Sequence, residues 1–315
     1  MHEPIAVRSE LLPREKHYRP SRHVLNWKPV LVIAFLWAVS SIVLPIYGLS
    51  LNPWLWAGCI ILWTVYIQRQ MVRCVAKSQE GIAWLNAGEL DKAAEVFENL
   101  CIKGCPPRIH AVVVFNRGIA FMRTGDFDRA ISLFTAVQAS GSFENRRSGL
   151  RPFLSQLFTA FAKAYALKGD LDSAEKWQGL AHDFTLPARE GMLLQMDITI
   201  AIRRARYAAA AKDAGAGWFS AEGCLTPADM KATRLLRAFA LSQLPNAADT
   251  GEREEEFITL CAGAKPFRQG EFNYLALRWP EFRSFLKSHG FSGPVLQEPT
   301  VSVTPNSVQP ISVRK

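Results

Sequence analysis

Residues able to do chemistry are sparse in this 315-residue chain, and their spacing points away from catalysis. His110, His182 and His289 each stand alone, with no second His or Glu at the helical spacing a metal site uses. Among the six cysteines, Cys101 and Cys105 are the closest pair, but no second pair and no His pair accompanies them, so zinc is not expected. Cys59, Cys74, Cys224 and Cys261 follow no disulfide framework, and all six read as buried or part-buried thiols in a reducing compartment. Asp91, Asp128 and Asp172 recur at equivalent places, each at the start of a helix, where a carboxylate caps backbone N–H groups. There is no G-x-S-x-G, no P-loop and no dinucleotide fingerprint. No catalytic, cofactor-binding or metal-binding residue is therefore expected, and an enzyme site within residues 213–289 is the remote alternative.

The formal charge of +9 matters through its location. Residues 1–28 hold six Lys/Arg against three Glu, and Arg69, Arg73 and Lys77 add three further cations. The C-terminal tail from Gly290 adds Arg314 and Lys315 against Glu298, which leaves about +2 for the body of the chain. That is too little for a nucleic-acid face, so nucleic acid is not an expected partner. The cations flank a run from Pro29 to Gln68, 40 residues without a single Asp, Glu, Lys, Arg or His. One helix of that length would extend about 60 Å, twice the hydrocarbon thickness of a bilayer. The turn formers Gly48, Ser50, Asn52 and Pro53 divide the run into segments 30–47 and 54–68, with Trp27, Tyr47, Trp54, Trp56 and Tyr66 toward the ends. A two-helix transmembrane hairpin is expected over residues 29–68, with the basic arm 1–28 on anionic lipid. An uncharged turn between basic flanks keeps both termini cytoplasmic, in a bacterial inner membrane or an organelle membrane. A re-entrant hairpin confined to one leaflet is the alternative, because both segments are short.

The elements beyond the run are organised by one phrase said three times: Gly88-Glu89-Leu90-Asp91-Lys92-Ala93, Gly125-Asp126-Phe127-Asp128-Arg129-Ala130 and Gly169-Asp170-Leu171-Asp172-Ser173-Ala174. The glycine can close one helix in a left-handed conformation, and the acidic residue after it can cap the next. Seven residues before each glycine stands Gly81, Gly118 or Ala162, and three further on Trp84, Phe121 or Tyr165. Four residues after the alanine, Phe97 and Phe134 fill two copies, whereas the third has Gln178 beside Trp177. Small residues and aromatics at these offsets on paired helices resemble the tetratricopeptide repeat family over residues 75–185. The separations of 37 and 44 residues exceed the family's unit of about 34, which places lengthened turns at 103–108 and 140–151. A weaker fourth copy has Ala205, Tyr207 and Ala210 in the slots of Gly169, Leu171 and Ala174.

The expected fold is all-α: a transmembrane hairpin, then an α-solenoid over 71–212, a degenerate helical extension with a capping helix over 213–289, and a disordered tail over 290–315. Helices are expected at 71–86, 89–102, 109–123, 127–139, 152–168, 171–182, 188–204, 207–212, 226–243, 252–261 and 278–288, with a Gly/Ala-rich loop at 213–223. The resemblance implies a concave groove lined by the first helix of each pair. Its slots map to Val75, Ser78, Ile82 and Asn86, then Val112, Phe115, Ile119 and Arg123, then Gln156, Thr159, Lys163 and Leu167. Family members that clamp a peptide carboxylate carry Lys, Asn and Arg there, whereas here Arg123 and Lys163 are the only cations. The partner-binding set Ile82, Asn86, Val112, Phe115, Ile119, Arg123 and Lys163 fits an apolar strip or an amphipathic helix better. The expected function is a membrane-anchored cytoplasmic adaptor that recruits proteins to the lipid bilayer, with a structural subunit of a membrane complex as the alternative.

Overall fold

The repeated phrase folds into one local geometry in all three copies, and the weaker fourth copy shares its helix end. In this computed structural model, which describes residues 53–103, 105–144, 149–245 and 250–293, the phrase's glycines have φ of 77° (Gly88), 89° (Gly125) and 101° (Gly169). The residue after each donates its N–H five residues back: Glu89 to Trp84 O at 2.9 Å, Asp126 to Phe121 O at 2.9 Å, and Asp170 to Tyr165 O at 3.0 Å. This satisfies carbonyls that a helix end leaves without partners. The Asp126 and Asp170 carboxylates then accept the N–H of Arg129 and Ser173, each at 3.1 Å, and start the next helix. The fourth copy closes its helix the same way without a glycine, and without a side-chain cap on the next: Ala205 sits at φ 56°, and Arg206 N–H reaches Ala201 O at 2.8 Å. A left-handed alanine costs about 1–2 kcal/mol, so Ala205→Gly is expected to stabilise the chain by about 1 kcal/mol in a urea titration.

The chain order is α1 Pro53–Asn86, α2 Leu90–Lys103, α3 Pro107–Thr124, α4 Phe127–Ala139, α5 Leu154–Lys168, α6 Leu171–Phe184, α7 Leu194–Arg203, α8 Tyr207–Ala216, α9 Trp218–Glu222, α10 Pro227–Ser242, α11 Thr250–Gly263, α12 Asn273–Ala276 and α13 Pro280–Ser288. Short 3₁₀ segments at Arg151–Phe153 and Pro187–Met192 lead into α5 and α7. The architecture is all-α; among the described residues every regular element is helical. α1–α2, α3–α4, α5–α6 and α7–α8 pack as successive hairpins, and α3 and α5 also pack on α2 and α4. α10 lies against α7, α8 and α11, while α12 reaches back to α3 and α5.

Packing inside the hairpins explains the small residues. A Cβ on Gly81 would stand 2.6 Å from the Phe97 ring, and one on Gly118 would stand 2.5 Å from Phe134. Both rings are fully buried. In the third hairpin the large ring comes from Trp177, stacked on Phe161 with centroids 4.2 Å apart, so Ala162 fits where the others need glycine.

Several expectations change. Segments 54–68 and 71–86 belong to one helix, α1, because nothing between Gln68 and Met71 breaks helical geometry. The Gly/Ala-rich stretch 213–223 is not a loop: α8 continues to Ala216, and α9 follows with Ala221 fully buried. The reason is that Gly191 presents no side chain, which lets the Ser220 carbonyl approach to 2.0 Å of where a Cβ would lie. The packed chain also runs past Gly290, with the Phe291 ring buried against Phe267 at 5.0 Å. Among the described residues no helix is long and apolar enough to cross a membrane. The arm 1–28, the apolar segment 30–47, the turn after it and the tail from residue 294 lie outside the described residues.

Candidate functional site

The two cations of the implied groove meet at one buried carboxylate. Arg123 ends α3, one residue before Thr124 and the left-handed Gly125, so its side chain projects beside the end of α1. There one guanidinium nitrogen donates to Leu85 O at 3.2 Å, and the other lies 3.4 Å from each Asp229 oxygen. Lys163, from the middle of α5, places Nζ 3.5 Å from the same carboxylate and donates to Gln195 Oε1 of α7. Asp229 sits in the first turn of α10 because Thr226 caps that helix: the Thr226 hydroxyl accepts the Asp229 N–H at 3.2 Å and donates to Asp229 Oδ2 at 2.7 Å. Gln195 Nε2 completes the ring by donating to Asp229 O at 3.4 Å. Side-chain exposures of 11% for Arg123, 13% for Lys163 and 15% for Asp229 mean that all three charges are largely out of water.

Burial and partners act in opposite directions here. Burial raises the Asp229 pKa, but Lys163, Arg123 and the Thr226 hydroxyl overcome it and hold the carboxyl down at about 2. Burial pushes the Lys163 ammonium below its ordinary range against the pull of Asp229, and it pushes the nearby Tyr274 phenol up. A carboxyl depressed in the folded chain stabilises it fully above the unfolded pKa of 3.8, and that contribution is lost as pH falls toward 2. Unfolding free energy is therefore expected to drop by about 2 kcal/mol between pH 4 and pH 2 through this group. Urea titrations across that range check it, and Asp229→Asn should remove this part of the acid limb.

Beside the cluster opens a cleft of about 750 Å³. Its walls are the α1–α2 turn (Asn86 to Asp91), the end of α3 (Arg123, Thr124), the start of α10 and the loop 266–274. Arg268 of that loop bridges to Glu89 at 2.7 Å across the mouth, joining the first hairpin to the C-terminal unit. Lys231 donates to Pro266 O at 2.5 Å and faces Glu271 at 3.8 Å.

Of the seven groove residues, the fold brings together Arg123 and Lys163, with Asn86 exposed at the cleft beside Arg123. Ile82, Val112 and Ile119 are half-buried against the core. Phe115 is buried, with its ring 5.7 Å from Phe134 and 6.0 Å from Phe143, so it packs within its own layer. Asp229, Gln195 and Tyr274 were not anticipated. The one sequence signal for Asp229 was its place three residues after the Thr226 cap.

Elsewhere, burial raises the thiols of Cys74 and Cys105, the latter to about 12 with the neighbouring Cys74 and Cys101 adding to it, which leaves them poor nucleophiles. His182 and Gln178 hold Asp197 at 3.0 and 2.7 Å, a part-exposed tie between α6 and α7. Among the described residues no group of three or more His, Cys, Asp or Glu side chains is arranged to hold a metal ion.

Comparison with protein families, with curated proteins and with solved structures finds no match for this chain.

Proposed function

We propose that the chain is a membrane-anchored interaction adaptor, in which a short solenoid of tetratricopeptide-like hairpins is held at a lipid bilayer and presents its surfaces to other proteins. The observation that carries this reading is α1. Ile60, Ile61 and Leu62 are 62%, 62% and 72% exposed, and three successive residues point to all sides of a helix. A stretch of helix that is apolar on every side is one covered by lipid or by other apolar helices, although α1 by itself is not long and apolar enough to cross a bilayer. Arg69, Arg73 and Lys77 follow as a basic collar, where headgroups would meet them. Because α1 runs unbroken into the first hairpin, the anchor would hold the stack stiffly and close to the surface, raising its effective concentration toward neighbouring membrane proteins. The positive-inside rule places the stack in the cytoplasm, and a bacterial inner membrane suits such basic flanks.

Cells producing the tagged full chain would be fractionated and the membranes washed with carbonate. The chain is expected to stay in the pellet, and Ile61→Lys with Leu62→Lys is expected to shift a large part of it to the supernatant. Complete release of the unaltered chain by carbonate would overturn the anchor.

The second reading, a structural subunit of a membrane complex, is favoured by the ionic cluster. Arg123 and Lys163 are taken by Asp229 of the same chain, so the part of the groove they would line is already filled. Val75, 44% exposed, and the half-buried Ile82 remain on the first hairpin. Loss of co-purifying protein on Val75→Glu with Ile82→Glu, while the chain stays folded, supports the adaptor. Loss only on α1 substitutions supports the subunit.

A further inference from the structure

We infer that the cleft between the α1–α2 turn and the loop 266–274 is the docking site of the chain's own C-terminal segment, residues 294–300, held as an extended strand. Four observations lead there. The first is where the described chain ends. The Phe291 ring is 1% exposed and packs on Phe267 and Phe272, which line the cleft. Two residues later Gly293 donates its N–H to Asn273 Oδ1 at 3.4 Å, again a cleft residue. The second is contact: a Cβ on Gly293 would stand 2.3 Å from Gly270 N, so the outgoing backbone lies directly on the cleft rim and only a glycine allows it. The exit is thus aimed by an aromatic anchor and a close backbone approach.

The third observation is composition and reach. The following residues are Pro294, Val295, Leu296, Gln297, Glu298, Pro299 and Thr300. Pro294 and Pro299 favour extended backbone at the residues before them, which lowers the ordering cost of a strand. Five residues span about 16 Å when extended, enough to carry Val295 and Leu296 along a wall that includes Leu90, Pro227 and Phe267. The fourth is charge. Glu298 is the only charged residue in the segment, and Arg268, two residues from Gly270, is a largely exposed cation on the same rim; it already bridges to Glu89, so Glu298 would join that pair and would not meet a lone cation. Tethering at Gly293 supplies a local concentration of about millimolar order, so even a weak strand would stay seated. The docked strand would cover the Arg268–Glu89 bridge and join the two ends of the helical stack.

Hydrogen exchange on the full chain in detergent micelles tests this. Val295→Asp with Leu296→Asp, and separately a chain ending at Gly293, are expected to speed exchange of amides in 86–91 and 266–274 by about tenfold, while amides of α5 and α6 stay unchanged and report an intact fold. A synthetic peptide of residues 294–303 added to the shortened chain should restore the protection, and Lys231→Glu with Arg268→Glu should weaken that restoration. Equal exchange in all three chains, with no effect of the peptide, overturns the proposal. Protection that fades on dilution of the full chain also overturns it, since the segment would then be docking in a second copy.

Discussion

Asp229→Ala is expected to destabilise the chain by about 3–5 kcal/mol, much of the stability of an ordinary domain. The substitution removes the carboxylate that faces two largely buried cations, the one anion paired with either among the described residues, and leaves both uncompensated. It also removes the acceptor of the Thr226 hydroxyl at the start of α10. Four helices lose a common point: α3 through Arg123, α5 through Lys163, α7 through Gln195 and α10 through Asp229 itself. Asp229→Asn keeps the shape and loses the charge, so it should cost nearly as much. Adding Lys163→Met to Asp229→Ala removes one stranded cation and is expected to recover at least about 1 kcal/mol, a coupling that independent sites would not show. Urea denaturation followed by circular dichroism measures all three. A cost below about 1 kcal/mol for Asp229→Ala would mean that water reaches Arg123 and Lys163 freely.

Gly118→Val is expected to cost about 3 kcal/mol, at the upper end for overpacking, because the first added carbon already overlaps the Phe134 ring. Gly118→Ala is the more informative change. Alanine should gain about 1 kcal/mol in a helix interior, yet its Cβ would lie 2.5 Å from a ring with no exposed surface. The net effect is expected to be destabilising. Phe134→Leu alone opens a small cavity, but combined with Gly118→Ala it should cost less than the sum of the two. The molecule contains its own control: the third hairpin carries Ala162 in this slot, and there the equivalent of Phe134 is Gln178. If Gly118→Ala proved neutral or stabilising, the ring would have to swing aside, and the glycine–phenylalanine pairing in the first two hairpins would have no packing basis.

The hairpin boundaries were legible because each is made by contacts only a few residues apart. Gly, acid, Asp and Ala at fixed offsets determine a left-handed helix end, a side-chain cap and a close approach, all within one turn of chain. Even the fourth copy followed, with Ala205 taking the glycine's conformation. Thr226 followed by Pro227 likewise marked the start of α10 correctly. The stretch 213–223 is helical despite its Gly/Ala-rich local pattern because its helices rest on a distant partner: α9 forms where Gly191, some thirty residues earlier, leaves room for its backbone.

The candidate site divides along the same line. The tetratricopeptide resemblance, carried by small and aromatic residues at fixed offsets, implied Arg123 and Lys163 as the cations on one face of the first helices. What those cations face was decided only in three dimensions. Asp229 is 106 residues beyond Arg123, and a charge pair at that separation leaves no mark on local pattern. The cleft is likewise tertiary, since the α1–α2 turn and the loop 266–274 meet across 179 residues, with Arg268 and Glu89 bridging them at the surface. Local backbone chemistry determined the helices and their turns; long-range burial of charge and of aromatic rings decided what the stack encloses and where it opens.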